Sequence, residues 1–497
     1  MLASPAHSRR QSSAHSLGSR QSSEQDDLHS PDAAEFTFDD GKVESTAPTI
    51  LSSSVSVTNT ILGTQLLAIP YTFSKLGPGL GTVLLLFFAL LTRSSLRLLV
   101  SAAQAVGYHD TRSARLTEQN TPSYATLSRA AFGKAYAAPI VDLIMAFATF
   151  GFAVAYLKEI AEGVPQILGE LMAAEGDVTA PAWTSGRGLG LLVLLFLLIP
   201  LSFSRDVDDF RWFSGTAFCC AVYLAGVVVW CAASGDGLQQ PAPTLPSTPG
   251  ERPWFIITNK AIGVLPVFVF LFTCHQNMFS VYNELAAAES TFPGQEENVT
   301  KIHTIIDIAI VVCSIIYLAV GFAGYVSFGS EVHEMILNDY TPIAATTLAR
   351  ISFVLLSAFS YPIQLHPCRA ALDSLFTHFE RHTRGRAPSL AAYAALEPSR
   401  RLGGSSFALL APTAASQSER RTRRWLTVGL LVATHACVLG VPEPLLSKLL
   451  VFLGATCGSA ICYVLPGMIF RRIADSEGVF ASPVKNGSKG ITDVDFK

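Results

Sequence analysis

The chain has 497 residues, of which 50% are hydrophobic and only 15% are charged, whereas an average soluble protein has about 25% charged residues. Its mean hydropathy is +0.39 and its formal net charge is −3. The composition therefore excludes an ordinary soluble globular protein, and the near-neutral charge gives no indication of a nucleic-acid partner.

The polar N-terminal residues 1–48 are rich in Ser, Asp and His, and we predict a disordered cytosolic tail without a secretory signal. Beyond this tail the chain alternates between apolar stretches and polar loops. A membrane-spanning helix needs about 20 mostly apolar residues. By that measure we predict ten spanning segments, numbered 1 to 10, at 50–72, 79–105, 136–157, 187–204, 212–234, 255–282, 302–327, 344–370, 424–441 and 445–470.

The basic residues are distributed unevenly between the two sides of the predicted membrane domain. Loops 106–135, 205–211 and 371–423 are rich in Lys and Arg, whereas loop 328–343 has none and loop 235–254 has only Arg252. Because basic loops stay in the cytosol, both termini are predicted to be cytosolic. We expect 371–423 to be a flexible cytosolic linker inside a transmembrane domain of residues 49–472, and 473–497 to be a cytosolic tail.

Segment 1 carries many polar side chains at membrane depth. It reads SSSVSVTNTILGTQLLAIP over residues 52–70, with hydroxyl and amide groups around Gly63. This composition suits a helix that unwinds midway and exposes backbone groups to a ligand or ion. Packing of neighbouring helices through small residues uses the same residue types. Segment 1 alone does not decide between these two interpretations.

Segment 6 favours the broken-helix interpretation. It reads GVLPVFVFLFTCHQNMFSVYNE over residues 263–284, where Thr273, His275 and Asn277 follow an aromatic run. Transporters built from inverted repeats break their helices at corresponding positions of the two halves. Segments 1 and 6 are five apart in a ten-segment chain. A five-plus-five repeat with broken first and sixth helices is therefore predicted.

Other polar groups within the segments have both functional and structural explanations. His275 is the main candidate for proton coupling because its reference pKa lies near neutrality, but it also suits a neutral hydrogen-bond donor. In segment 8, the hydroxyls of Ser357 and Ser360 are suited to bind a cation or the substrate. They are equally suited to donate hydrogen bonds to backbone carbonyls that nearby prolines leave without a partner. Lys158 and Glu162 of segment 3 are four residues apart, and a local ion pair is expected.

Several of these stretches together resemble the amino acid/auxin permease family, which includes sodium-coupled neutral amino-acid transporters and fungal vacuolar amino-acid transporters. The resemblance covers residues 48–472, and LPVFVFLFTCHQNMFSVYNEL (265–285) is its most specific part. Supporting matches are SSVSVTNTILGTQLLAIPYTFSKLGPGLG (53–81), YVSFGSEVHEMILNDY (325–340), SYPIQLHPCRAALDSL (360–375) and FLGATCGSAICYVLPGMIF (452–470).

The resemblance implies an all-α membrane protein with a leucine-transporter-type fold. Its substrate would lie between the unwound parts of segments 1 and 6. By similarity, Asn59 would be an ion-site or substrate-site residue, with Ser357 or Ser360 as its partner in segment 8. A sodium site, if sodium is the coupling ion, would use these three residues. The residues expected at the substrate site are Asn59, Gly63, Thr64, Gln65, Thr273, His275, Asn277, Ser357 and Ser360.

The sequence also departs from the family. Thr64 and Gln65 stand where the family often has a small residue and a glycine, and the bulky amide at 65 bears on substrate choice. Lys158 stands at a position in segment 3 where members of the family usually have an apolar residue. The family commonly has eleven helices, whereas only a polar tail follows Arg472 here, so that ten are expected.

We expect a secondary active transporter that carries amino acids by alternating access, coupled to protons. The vacuolar or lysosomal membrane is favoured, because the quoted stretches resemble the vacuolar branch of the family most. One alternative is a sodium-coupled transporter of the plasma membrane, and another is an amino-acid sensor on a transporter scaffold. An enzyme is not expected, since paired carboxylates, metal-spaced histidines and a nucleotide loop are missing from the sequence. The expected partners are the amino-acid substrate and membrane lipid, with no cofactor beyond H⁺ or Na⁺ and no obligate protein partner.

Overall fold

The computed structural model describes residues 49–110, 122–133, 136–174, 199, 202, 207–238, 254–288, 295–383 and 414–476. These residues form helices joined by turns, with an isolated β-bridge between Leu238 and Tyr340. The α-helices are α1 (Ile50–Ile61), α2 (Ile69–Leu76), α3 (Pro78–Asp110), α4 (Tyr124–Phe132), α5 (Ala137–Ala174), α6 (Val207–Ser234), α7 (Asn259–Leu271), α8 (His275–Ala288), α9 (Gln295–Phe328), α10 (Ala344–Thr383), α11 (Ala414–Gly440), α12 (Glu443–Leu453) and α13 (Leu465–Ser476).

The helices account for most of the predicted segments. Within the described part of the chain, seven helical stretches are long and apolar enough to cross a membrane. They correspond to segments 2, 3, 5, 6, 7, 8 and 10. Segment 1 is divided into shorter helices, segment 9 has only the apolar stretch Arg424–Gly440, and segment 4 lies almost entirely outside the described residues. The protein is therefore an all-helical membrane protein, while the count of ten and the inverted repeat stay predictions.

Some helices extend beyond the membrane segments. Helix α10 continues to Thr383 and α11 begins at Ala414, so both enter the predicted linker 371–423. Helix α4 lies within the predicted loop 106–135. These bounds differ because hydropathy marks the part of a helix that lies in lipid, whereas polar helical turns continue past it.

Segments 1 and 6 are both broken. Helix α1 ends at Ile61, and after Leu62 and Gly63 the chain forms a 3₁₀ turn, Thr64–Ala68, that leads into α2. Helix α7 ends at Leu271, and α8 starts at His275. The interruptions predicted from the composition of the two segments are thus confirmed.

Helix α9 runs along both halves of segment 1. The thiol of Cys313 lies 3.8 Å from the carbonyl oxygen of Thr58 in α1. Three turns further on, a Cβ on Gly324 would lie 2.5 Å from two ring carbons of Pro70 and from Ile336 Cδ1. Glycine at this position therefore permits close contact between α9 and α2.

Replacing Gly324 with alanine is expected to destabilise the protein by about 1–3 kcal/mol, because the proline ring has no rotamer by which it can withdraw. The melting temperature of the detergent-purified protein would measure this loss. Gly226→Ala is a matched control, since Gly226 lies within α6 and its added Cβ would meet nothing within 4 Å. Equal melting temperatures for both variants would contradict the close contact.

Segment 10 contains two π-helical turns, Gly454–Gly458 and Ala460–Val464, between α12 and α13. Here the Phe270 ring of α7 lies directly against the backbone. A Cβ on Gly454 would overlap the Phe270 ring. On its other side this ring packs edge-on against Phe152 of α5, with centroids 5.5 Å apart. The ring thus joins segments 3, 6 and 10.

The turn that joins α9 to α10 is fixed by one buried arginine. Arg350 is 4% exposed. Its Nη2 donates to the carbonyls of Leu337 and Tyr340, both at 2.8 Å. Its Nη1 pairs with Glu170 of α5 at 2.8 Å. The guanidinium therefore binds the turn to α5 and α10 together.

Candidate functional site

The break in segment 1 exposes backbone groups near the middle of the segment. Leu62 N–H still donates to Thr58, and Gly63 N–H donates to Ile61, both at 2.8 Å. Leu66 N–H donates to the Gly63 carbonyl at 3.2 Å. The N–H groups of Thr64 and Gln65 open the 3₁₀ turn, and groups at such a position have no acceptor within their own helix. The half-buried Thr64 and Gln65 thus form a short N-terminal edge.

Tyr156 of α5 covers this break. Its hydroxyl oxygen would lie 2.7 Å from a Cβ on Gly63, so only glycine leaves room for it there. The Ser360 hydroxyl of α10 lies near this hydroxyl but has no hydrogen-bond partner among the described residues. Tyr156 is 8% exposed and Ser360 is 4% exposed. Segments 1, 3 and 8 therefore contribute Gly63, Tyr156 and Ser360 to one place.

A polar stripe on α10 continues from this point. Ser357, Ser360 and Gln364 are separated by three and four residues, so they lie on one helix face. Gln364 Oε1 accepts a hydrogen bond from Gln276 Nε2 of α8 at 3.1 Å, and both amides are buried. The stripe thus extends from Tyr156 to the second half of segment 6.

Several predicted site residues have buried polar atoms without hydrogen-bond partners among the described residues. The atoms are both amide atoms of Asn59, Nδ1 of His275, the side-chain nitrogen of Asn277, and the hydroxyls of Ser357 and Ser360. Asn59 is 1% exposed and Ser357 is fully buried. Asn59 lies one turn before Gly63. Because buried polar groups are normally hydrogen-bonded, such atoms are suited to bind a ligand or an ion.

The start of α8 faces a different group of residues. His275 is fully buried, its Nε2 lies 3.1 Å from Ser95 Oγ of α3, and its ring contacts Tyr463. Thr273 Oγ1 donates to the Val269 carbonyl at 2.6 Å. None of these contacts involves segment 1, and the assignment of Thr273 and His275 to the substrate site stays a prediction.

Two further predicted features have clear positions. Asn277 is half-buried, and its side-chain nitrogen has no partner among the described residues. Lys158 pairs with Glu162 at 3.2 Å, as expected, and also lies 3.7 Å from Glu443 of α12. The lysine that departs from the family thus links segments 3 and 10.

The sequence did not indicate Tyr317 of α9. Its hydroxyl lies 2.7 Å from the Ile61 carbonyl oxygen and 2.8 Å from that of Leu271. The last residues of α1 and α7 therefore meet around one hydroxyl. Tyr156 of segment 3 was not among the residues expected at the site. The sequence does not show which group the hydroxyl of a tyrosine in an apolar helix will contact. The one available indication is that a buried tyrosine hydroxyl usually has a hydrogen-bond partner.

The chain matches the family described as transmembrane amino acid transporter protein over residues 47–478. It is 28% identical to vacuolar amino acid transporter 6 of Saccharomyces cerevisiae, across 88% of this chain and 92% of that protein. It is 27% identical to vacuolar amino acid transporter 5 of Schizosaccharomyces pombe, across 84% and 83%. Identity to sodium-coupled neutral amino acid transporter 7 of Xenopus laevis is 26%, across 67% and 68%.

The family match covers both broken helices, the tyrosine that lies over Gly63 and the polar stripe on α10. Relatives named as amino acid transporters align along most of the chain. This chain belongs to the family of transmembrane amino acid transporter proteins.

Proposed function

We propose that this chain is a secondary active transporter that moves amino acids across the vacuolar membrane by alternating access, driven by protons. The observation that carries this proposal is the meeting of two broken helices around the Tyr317 hydroxyl. In the proposed orientation both termini are cytosolic, because the basic loops lie on that side.

The two breaks suit a zwitterion. Each break places the C-terminal end of one half-helix, with partial negative charge, next to the N-terminal end of another, with partial positive charge. An amino acid carries a carboxylate and an ammonium group on adjacent atoms. Broken helices in other transporters use these ends in the same way, for anionic groups and for cations.

The substrate carboxylate is assigned to the N–H groups of Thr64 and Gln65, since Leu66 N–H is bonded to the Gly63 carbonyl. The Tyr156 hydroxyl, which reaches the backbone at Gly63, is a further donor for that carboxylate. The ammonium group is assigned to the carbonyl ends of α1 and α7. The Gln65 side chain stands next to the carboxylate donors and is proposed to influence which amino acid is accepted.

Sodium coupling is the second candidate, and one observation favours it. The amide oxygen of Asn59 and the hydroxyl of Ser357 are buried without partners among the described residues, and oxygen atoms are the ligands that a sodium ion takes. A relative named as a sodium-coupled transporter also aligns with this chain. We prefer proton coupling because the family resemblance of the sequence is to the vacuolar branch, and the more extensive alignments are with proteins named as vacuolar amino acid transporters.

Counterflow and gradient-driven uptake in proteoliposomes test the proposal. The purified chain is reconstituted and supplied with a panel of labelled amino acids. Uptake is measured with a pH gradient, with a protonophore that dissipates it, and with sodium replaced by choline. We expect accumulation that disappears with the protonophore and is unchanged in choline.

The other outcomes identify the alternatives. Accumulation that requires sodium would show that the transporter is coupled to sodium and not to protons. The double variant Asn59→Ala, Ser357→Ala should then lose this sodium-dependent accumulation. Substrate binding without flux in any condition would indicate an amino-acid sensor. Liposomes without protein, and liposomes with heat-denatured protein, give the background rate.

A further inference from the structure

The hydroxyl of Tyr317 lies between the ends of two half-helices. Its acceptors are the carbonyl oxygens of Ile61, at 2.7 Å, and of Leu271, at 2.8 Å. These are the last residues of α1 and α7. The tyrosine itself belongs to α9 and is fully buried. One side chain from a third segment thus contacts both breaks.

The chemistry of a phenol makes this contact unusual. A tyrosine hydroxyl has one proton to donate, so the two carbonyls share it. The last carbonyls of a helix have no partner within that helix. Leaving such a group buried and unpaired is unfavourable. The Tyr317 hydroxyl therefore lies between the terminal carbonyls of both half-helices, and the Ile61 carbonyl also accepts from Gly63 N–H.

The neighbours of Tyr317 hold its ring in place. Its ring packs edge-on against Phe272 in the break of segment 6, with centroids 5.6 Å apart. One turn earlier on α9, the Cys313 thiol contacts the Thr58 carbonyl of α1. The close contact of Gly324 with Pro70 fixes the same helix further along. The Tyr317 hydroxyl therefore has little freedom to move with one half-helix end while losing its contact with the other.

We propose that Tyr317 is a positioning residue that fixes the separation of the two breaks and makes them move together during transport. This inference rests on the proposed function, because it assumes that a substrate binds between the breaks. Loss of the hydroxyl would let the ends of α1 and α7 move independently. The carboxylate donors and the ammonium acceptors would then be misaligned.

Tyr317→Phe tests this role with two measurements. In counterflow, the KM for the substrate is expected to rise about tenfold, the factor that corresponds to one lost neutral hydrogen bond. In the same protein, Cys274, which is buried in the break of segment 6, should react faster with N-ethylmaleimide. The modified cysteines are identified by mass spectrometry of the full-length chain.

Controls separate positioning from general loosening. Cys231 and Cys368 are buried far from the breaks along the chain and should stay unreactive in Tyr317→Phe. Tyr124→Phe is the matched variant, since the buried Tyr124 hydroxyl donates to a single carbonyl, that of Ile461, at 3.0 Å. It should keep the wild-type KM.

Three results would overturn the proposal. They are an unchanged KM and Cys274 rate in Tyr317→Phe, an equal rise at Cys231 and Cys368, and the same KM shift in Tyr124→Phe. If the wild-type chain shows no counterflow, the proposed function fails, and the selective reaction of Cys274 still tests the link between the breaks.

A measurement on the unaltered protein applies if Tyr317→Phe does not fold. Cys274 lies beside one break, and Cys313 contacts the other. Substrate should slow the alkylation of both cysteines over the same concentration range. Protection of Cys274 alone would show that the two breaks respond separately, and would overturn the proposal.

Discussion

Gly63→Ala is expected to reduce the rate of amino-acid counterflow about 100-fold, as a displacement of about 1 Å at a binding site does. The added Cβ would lie 2.7 Å from the Tyr156 hydroxyl oxygen. The backbone at Gly63 has φ −94°, which alanine adopts without strain. The effect is therefore one of space between segments 1 and 3. Initial rates in proteoliposomes would measure it.

A second variant identifies the clash. The Tyr156 ring carbon Cζ would lie 3.7 Å from the same Cβ, which is ordinary contact. Gly63→Ala combined with Tyr156→Phe removes the oxygen and should restore the rate to that of Tyr156→Phe alone. A double variant as inactive as Gly63→Ala would show that the loss has another cause. A rate within twofold of wild type for Gly63→Ala would contradict the contact itself.

Arg350→Ala is expected to destabilise the protein by about 3–5 kcal/mol, the range for removing one partner of a buried ion pair. The change leaves Glu170, whose side chain is 14% exposed, without its counter-charge and with the Thr347 hydroxyl as its remaining donor. It also leaves the carbonyls of Leu337 and Tyr340 without the guanidinium donor. Arg350→Lys should recover only part of the loss, because an ammonium group lacks the planar fork of a guanidinium. The melting temperature of the purified protein reports both variants.

His333→Ala is the control for Arg350. The His333 ring contacts Asp339 in the same turn; the His333 side chain is 77% exposed, whereas that of Asp339 is 8% exposed. His333→Ala keeps the hydrogen bond from the backbone N–H of residue 333 to Asp339. Because one partner is exposed, the loss should be about 0–1 kcal/mol, so the melting temperature should hardly change. If both variants lowered the melting temperature equally, any disturbance of this turn would be harmful, and the buried guanidinium would have no special role.

The sequence indicated the features of the fold that are encoded locally. A long apolar run predicts a membrane helix, and hydroxyl groups around Gly63 predict its interruption, because both depend on neighbouring residues. The same holds for the break near Thr273. Helix extensions such as 371–383 were missed, because hydropathy does not mark the polar turns of a helix outside the lipid.

Contacts between distant segments could not be derived from the sequence. Tyr317 is more than 250 residues from Ile61, and nothing near it in the chain indicates that its hydroxyl meets two carbonyls. His275 was singled out for proton coupling because its reference pKa lies near neutrality. Nothing in the sequence indicated that its ring lies against Ser95 and Tyr463. The direction of a side chain at a helix start depends on packing that the residue type does not specify.

The contact between Gly454 and Phe270 has a consequence for how this family can diverge. No side chain at 454 is compatible with a ring that occupies its Cβ position. A larger residue at 454 is therefore tolerated only after residue 270 has become smaller. Substitutions at these two positions, far apart in the gene, should be inherited in a fixed order, with the change at 270 preceding the change at 454.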